Sequence, residues 1–190
     1  MEVFSTDIKP FENIDLVKDI LKLQPKDIPF IPDVIWASPP CTGFSCASAW
    51  KHWKGKAENS IPQTETALLG IKLVKRTLKL IRDYQKLNPN LIWYIENPRG
   101  KLRHQKFMQN LPLRHTVSYC QYGDFRMKPT DIWTNNPNWK PRPMCSPRSD
   151  CHESAPKGSH GGTNRLKNNY ERSKIPEELC AELLRRISED

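Results

Sequence analysis

The sequence predicts an α/β fold built on a mostly parallel sheet. Two short apolar runs, Val34-Ile-Trp-Ala37 and Leu91-Ile-Trp-Tyr-Ile95, have the length and composition of buried strands. Between them apolar residues recur every three or four positions, the period of a helix. A strand, a crossover helix and a second strand form a unit whose strands are parallel and often adjacent.

The chain has 190 residues, which suits one domain or slightly more with a real core. Charged residues make up 27% and hydrophobic ones 37%, so a polar, soluble protein is expected. No apolar run approaches the roughly 18 residues of a membrane span. The start, Met1-Glu-Val-Phe-Ser5, lacks the basic and apolar regions of a signal peptide, and an intracellular, cytoplasmic location is expected. The six cysteines then read as free thiols, ligands or catalytic groups rather than disulfides. A formal net charge of +9 suits a polyanionic partner, most simply nucleic acid.

Residues 1–8 read as a short strand ending at Asp7. Residues 13–21, which include Asp19, are open between a turn and a short helix. Pro25, Pro29 and Pro32 punctuate the approach to the first apolar run. That run stops at Pro39 and Pro40, whose fixed φ and missing N–H force a stiff loop. Cys41 follows at the strand's carboxyl end, where ligands collect in an open α/β sheet. A thiol on such a loop is a candidate nucleophile; the alternative is a small buried packing residue.

Residues 46–63 form a polar loop carrying Trp50, Lys51, His52, Trp53, Lys54 and Lys56. Aromatics among cations can stack on bases and hold phosphates, or the tryptophans can be half buried in an ordered loop. The spacing of Ser60 and Gln63 fits a capping box and predicts a helix from there to about Leu87. Ala67, Ile71, Val74, Leu78 and Ile81 line one face, while Lys72, Lys75, Arg76, Lys79 and Arg82 form a solvated one. Asn88-Pro-Asn ends the helix. The second strand stops at Glu96-Asn97-Pro98-Arg99-Gly100, a carboxylate just past a strand end, followed by Lys101, Arg103, His104 and Lys106. Arg114–Cys120 and Thr130–Thr134 are expected to pair as a hairpin with Gly123 in the turn. Residues 135–174 are rich in Pro, Asn, Ser and Gly, and too long for a simple connection. Pro176 fits the first turn of a last helix, with Leu179, Leu183 and Ile187 on one face.

Parallel strands bring Cys41 and Glu96 to one sheet edge. A thiolate beside a carboxylic acid suggests covalent addition to a polarised ring. The thiolate attacks carbon while the acid protonates or hydrogen-bonds a ring nitrogen.

These residues carry a resemblance. Ser38-Pro-Pro-Cys41-Thr-Gly-Phe-Ser45 resembles the Pro-Cys loop of DNA cytosine-5 methyltransferases. Glu96-Asn97-Pro98 is similar to their Glu-Asn-Val motif. Tyr122-Gly123 with Arg126 and Lys128 is similar to the later basic cluster, and Lys174-Ile-Pro-Glu-Glu-Leu179 to the last helix motif. The motifs follow the family's order along the whole chain. The resemblance implies a Rossmann-like sheet, S-adenosylmethionine as cofactor and DNA as partner. It implies that Cys41 adds to C6 of a flipped cytosine, that Glu96 holds N3 and the exocyclic amine, and that Arg126 or Lys128 steadies the base or backbone. It also implies cofactor contacts from Asp7, Asp19 and Pro39, and substrate contacts from Pro40, Ser45, Asn97, Pro98 and Arg99.

The family's Phe-x-Gly-x-Gly cofactor loop has no counterpart, since no glycine precedes Gly43. An N-terminally shortened sheet is therefore expected, with a second polypeptide supplying the loop as one expectation. A catalytically silent or split relative that binds DNA or a partner is the alternative function. The expected organisation is a catalytic core over residues 1–134, a reduced loop-rich region over 135–174 in place of a large target-recognition domain, and a C-terminal helix over 175–190. Such compactness resembles phage versions of the family. Cys145, Cys151 and His152, with His160 beyond, are weak zinc candidates, because five residues separate the two thiols rather than the usual two to four; the alternative is loop thiols. Cys46 and Cys120 read as packing residues.

Overall fold

The computed structural model describes residues 2–153, 166 and 168–188. His160 lies outside them. Strands β1 (Thr6–Asp7) and β2 (Leu16–Val17) form a small parallel pair. Strand β3 (Val34–Ala37) leads through the Pro-Cys loop to a short helix α1 (Ala49–His52), then to a two-residue ribbon of β4 (Trp53–Lys54) and β5 (Ile61–Pro62). Helix α2 (Glu65–Leu87) crosses over to β6 (Ile92–Pro98). A short helix α3 (Lys106–Gln109), strands β7 (Leu113–Ser118) and β8 (Pro129–Thr134), and helices α4 (Asn169–Ser173) and α5 (Glu177–Ser188) follow.

The central sheet has four strands in the order β3-β6-β8-β7. β3 and β6 are parallel, as the crossover helix requires, from Val34↔Ile92 to Ala37↔Ile95. β8 runs antiparallel to both β6 and β7. The sheet is thus mixed rather than mostly parallel. The β7–β8 hairpin sets this: its connection is too short for the crossover that a parallel pair needs. Gly123, in that connection, takes the left-handed φ of +82° that suits glycine.

Alternation along β6 sends side chains to two faces. Trp93 and Ile95 join Val74, Leu78 and Ile81 of α2, with Phe44 and Trp133. Tyr94 faces the other way, against Val117, Tyr119, Tyr122, Ile132 and Trp139, where Leu179 and Leu183 of α5 close the layer. The molecule therefore has a helix on each side of the sheet. No helix among the described residues is long and apolar enough to cross a membrane.

Two local expectations are corrected. The long helix begins at Glu65, with Thr64 as N-cap accepting from the Ala67 N–H, because Ile61 and Pro62 are drawn into the ribbon with β4. Arg76 is not on a solvated face: its guanidinium donates to the carbonyls of Ile20 and Leu23 and ties the N-terminal segment to α2. The other four cations of that face, Lys72, Lys75, Lys79 and Arg82, are exposed. Thr64→Ala should cost about 1 kcal/mol in urea unfolding through loss of the cap. The Thr64 hydroxyl also lies 2.7 Å from the His52 ring, so a value near zero would contradict both contacts.

Candidate active site at the end of the parallel pair

The Pro-Cys loop leaves β3 and is held from below by the strand beside it. Asn97 of β6, fully buried, donates from Nδ2 to the Pro39 carbonyl at 2.8 Å. A tight turn follows, in which the Phe44 N–H donates to the Cys41 carbonyl at 2.8 Å. The loop then packs on the segment after β6. A Cβ on Gly100 would lie 2.3 Å from the Phe44 carbonyl oxygen, so the close approach excludes any larger residue there. The Lys101 N–H donates to that same oxygen at 2.8 Å. The exposed Cys46 donates its thiol to the Arg99 carbonyl and is not a packing residue.

Glu96 lies inside β6, not past its end. It is nevertheless one residue beyond the last pairing with β3, Ala37↔Ile95, while β8 still covers it through Ile132. That register buries the carboxyl, to 5% exposure, beside the Cys41 loop. The Tyr119 hydroxyl donates to Glu96 Oε1 at 2.9 Å. Burial raises the Glu96 pKa, against the opposing effects of the Lys128 charge and of hydrogen bonds from Tyr119 and Ser38. Burial and the carboxylate also push the Tyr119 hydroxyl well above its ordinary value, so it stays a donor.

Cys41 and Lys128 belong to the same electrostatic group. Burial, then the Glu96 charge, raises the Cys41 thiol, and Lys128 pulls it down. Burial lowers Lys128, which Glu96 and Cys41 oppose. The Lys128 ammonium sits 4.5 Å from the centre of the Tyr119 ring and donates to the Arg172 carbonyl at 2.8 Å. Lys128 has a positive φ of +26°, unusual for a residue with a side chain.

The structure does not bring Arg126 into this group as a free cation. Its guanidinium pairs with Asp124 and donates onward to the carbonyls of Glu171, Arg172 and Lys174. It holds the segment around α4 against the β7–β8 connection. Pro39 is buried, Pro40 and Arg99 are exposed, and Ser45 and Pro98 lie between these extremes. Ser45 caps a short turn by accepting from the Ala47 N–H. Asp7 and Asp19 stand at or just past the carboxyl ends of β1 and β2, and each accepts one hydrogen bond from its own turn, at Lys9 and Leu21.

The basic stretches 51–56 and 101–106 adjoin. Lys101 donates to the Ser60 hydroxyl at 2.8 Å, while Arg103 is committed to Asp131 and Thr116. Trp50 is 82% exposed whereas Trp53 is buried and donates to the Gly43 carbonyl, so the two tryptophans have different tasks. Cys145, Cys151 and His152 come together, joined by Cys120.

Sequence reasoning missed Tyr119, Asp124 and Cys120. Tyr119 was legible only as part of a strand, and Cys120 only as a packing residue at that strand's end. Asp124, two residues before Arg126, offered the one local signal, a carboxylate within turn reach of a cation.

The chain is 25% identical over 193 aligned positions to a probable DNA (cytosine-5)-methyltransferase of Frog virus 3, covering 90% of this chain and 82% of that one. No family model and no solved structure matches. The relative lends no support to a second polypeptide.

The buried Glu96 makes a pH prediction. Its folded pKa lies above the ordinary 4.5, so between those two values the folded state keeps a proton that the unfolded chain has lost. Stability then falls as pH rises through that window, by up to about 1.4 kcal/mol per pH unit. Glu96→Gln removes the titration and keeps an acceptor for Tyr119. Urea unfolding of the variant against the parent should show the variant gaining relative stability as pH rises above 4.5. A difference that is flat with pH would contradict the assignment.

Proposed function

Because the chain belongs to the DNA cytosine-5 methyltransferase family, we propose that it adds a methyl group to C5 of a cytosine flipped out of DNA. The observation that carries the proposal is the electrostatic group of Cys41, Glu96 and Lys128 at one strand end, braced by Asn97. A base inside a duplex is out of reach of a thiol on a stiff loop, so the base must leave the stack.

The Cys41 sulfur forms a bond to C6, and the electron pair of the C5–C6 double bond moves into the ring. Glu96 meets the growing charge at N3, and burial favours the protonated carboxyl this requires. Tyr119 fixes the orientation of the carboxyl through Oε1. Lys128 opposes the burial and the Glu96 charge that raise the Cys41 thiol, and so eases loss of the thiol proton as the sulfur attacks. C5 is then nucleophilic. S-adenosylmethionine, when bound, supplies an electrophilic methyl group. Loss of the C5 proton lets the S–C6 bond break and frees Cys41.

For the cofactor, Asp7 and Asp19 at the ends of a parallel pair fit hydroxyl and amine donors such as those of ribose and adenine, each having one carboxylate oxygen to offer. Pro39 forms the wall between the two sides. On the DNA side, Pro40, Ser45, Pro98 and Arg99 border the thiol. Lys51, Lys54, Lys56 and Lys106, all exposed, suit phosphates, and Trp50 suits stacking.

The test is a covalent trap. DNA carrying 5-fluorocytosine cannot lose its C5 substituent as a proton, so the Cys41–C6 bond should persist and shift the protein on a denaturing gel when S-adenosylmethionine is present. Cys41→Ser should give no adduct; an adduct that survives in that variant would refute the nucleophile. Glu96→Gln should lower turnover by about 100-fold or more while DNA affinity changes little.

A further inference from the structure

Four metal-binding side chains meet beside this site although the sequence scatters them. The ligand atoms of Cys120, Cys145, Cys151 and His152 all lie within 4.8 Å of one another. Cys120 Sγ is 3.2 Å from Cys145 Sγ and 3.6 Å from Cys151 Sγ. His152 Nδ1 is 3.7 Å from both Cys145 Sγ and Cys151 Sγ. A tetrahedral zinc ion, with bonds of about 2.3 Å to sulfur and 2.0–2.1 Å to nitrogen, sets its ligand atoms roughly 3.5–3.8 Å apart. A disulfide would need about 2.05 Å between sulfurs.

We propose that Cys120, Cys145, Cys151 and His152 hold a structural zinc ion. Three thiolates and an imidazole are the donors that select zinc among the common divalent ions. The protein fills all four positions, leaving no open one for a reacting water, which makes the site structural rather than catalytic. The surroundings are those of a built site. The Gln121 amide donates to Cys151 Sγ at 3.3 Å, the kind of outer contact that orients a thiolate ligand. The Cys145 N–H donates to the Ser118 hydroxyl.

The ion has a mechanical task. Among the described residues, 135–153 contain no helix or strand, so side-chain contacts rather than a backbone ladder fix them. The ligand-bearing part is held by side-chain and backbone contacts: Arg142 to the Tyr122 hydroxyl, the Gln121 carbonyl and Glu178 and Glu182 of α5, Met144 and Cys145 to Ser118, and Glu153 to the Phe125 carbonyl. Ser118, Gln121 and Tyr122 among these partners lie in or next to the turn Tyr119–Tyr122. Zinc would staple the segment to Cys120, the residue after Tyr119. Its binding would therefore hold the Tyr119 hydroxyl on Glu96, and metal loss would loosen both.

Elemental analysis of the full chain, purified without chelator, should find about one zinc per molecule. Cobalt(II) replacing it should give the intense d–d bands and thiolate charge-transfer band of a tetrahedral Cys3His site. Cys145→Ser should lower zinc affinity by about 100-fold or more. His152→Cys, which exchanges one zinc ligand for another and gives a four-thiolate set, should retain the ion, and Cys180→Ala, outside the cluster, should leave metal content unchanged. The proposal is overturned if the folded parent chain takes up no zinc or cobalt. It is also overturned if the parent loses two hydrogens to a disulfide within the cluster as purified under reducing conditions, or if Cys145→Ser binds zinc as the parent does. These readings involve neither DNA nor cofactor, so they stand apart from the trapping result.

Discussion

A carboxyl group buried at a strand end is the constraint on which the site turns. β6 runs on past β3 while β8 continues to cover it, so Glu96 is enclosed on one side and open toward the Cys41 loop on the other. A buried carboxylate is costly, and the protein offsets the cost with the Tyr119 hydroxyl, Ser38 and the Lys128 ammonium. Ser38 comes from the Pro-Cys loop, and Tyr119 and Lys128 from the two ends of the β7–β8 connection. The requirement to satisfy one group thereby joins the Pro-Cys loop to both ends of the hairpin connection.

The second consequence is that the C-terminal part belongs to the site's frame. Arg126 gathers the carbonyls around α4, and Lys128 donates to one of them. Arg142 reaches Glu178 and Glu182 of α5. Stacked over Tyr122, 4.7 Å from its ring centre, the same guanidinium links α5 to the turn that carries Tyr119. Two neighbouring cations of one short motif thus do different things. Arg126 is saturated by its own surroundings and holds the frame, while Lys128 leans toward the reacting group.

Much of the fold could be read directly. The apolar runs at 34–37 and 91–95, the crossover helix and the β7–β8 hairpin follow from periodicity and turn chemistry, which act over a few residues. The start of the long helix could not. Ser60 and Gln63 have capping-box spacing, but pairing of Ile61 and Pro62 with β4 outweighed it. Nor could the sheet's direction be read, since β8 enters between β6 and β7 and reverses the sense of pairing.

By itself the sequence determined that a thiol and a carboxylic acid would share the exit of one parallel strand pair. Prolines fix backbone angles locally, and a crossover helix leaves its two strands little choice of direction. Only the tertiary structure decided how those groups are tuned and supported. Tyr119 reached Glu96, and Cys120 met Cys145, Cys151 and His152, through contacts between residues far apart in the chain. Hydrogen bonds and ligand clusters depend on distances in space, and no spacing along the chain encodes them.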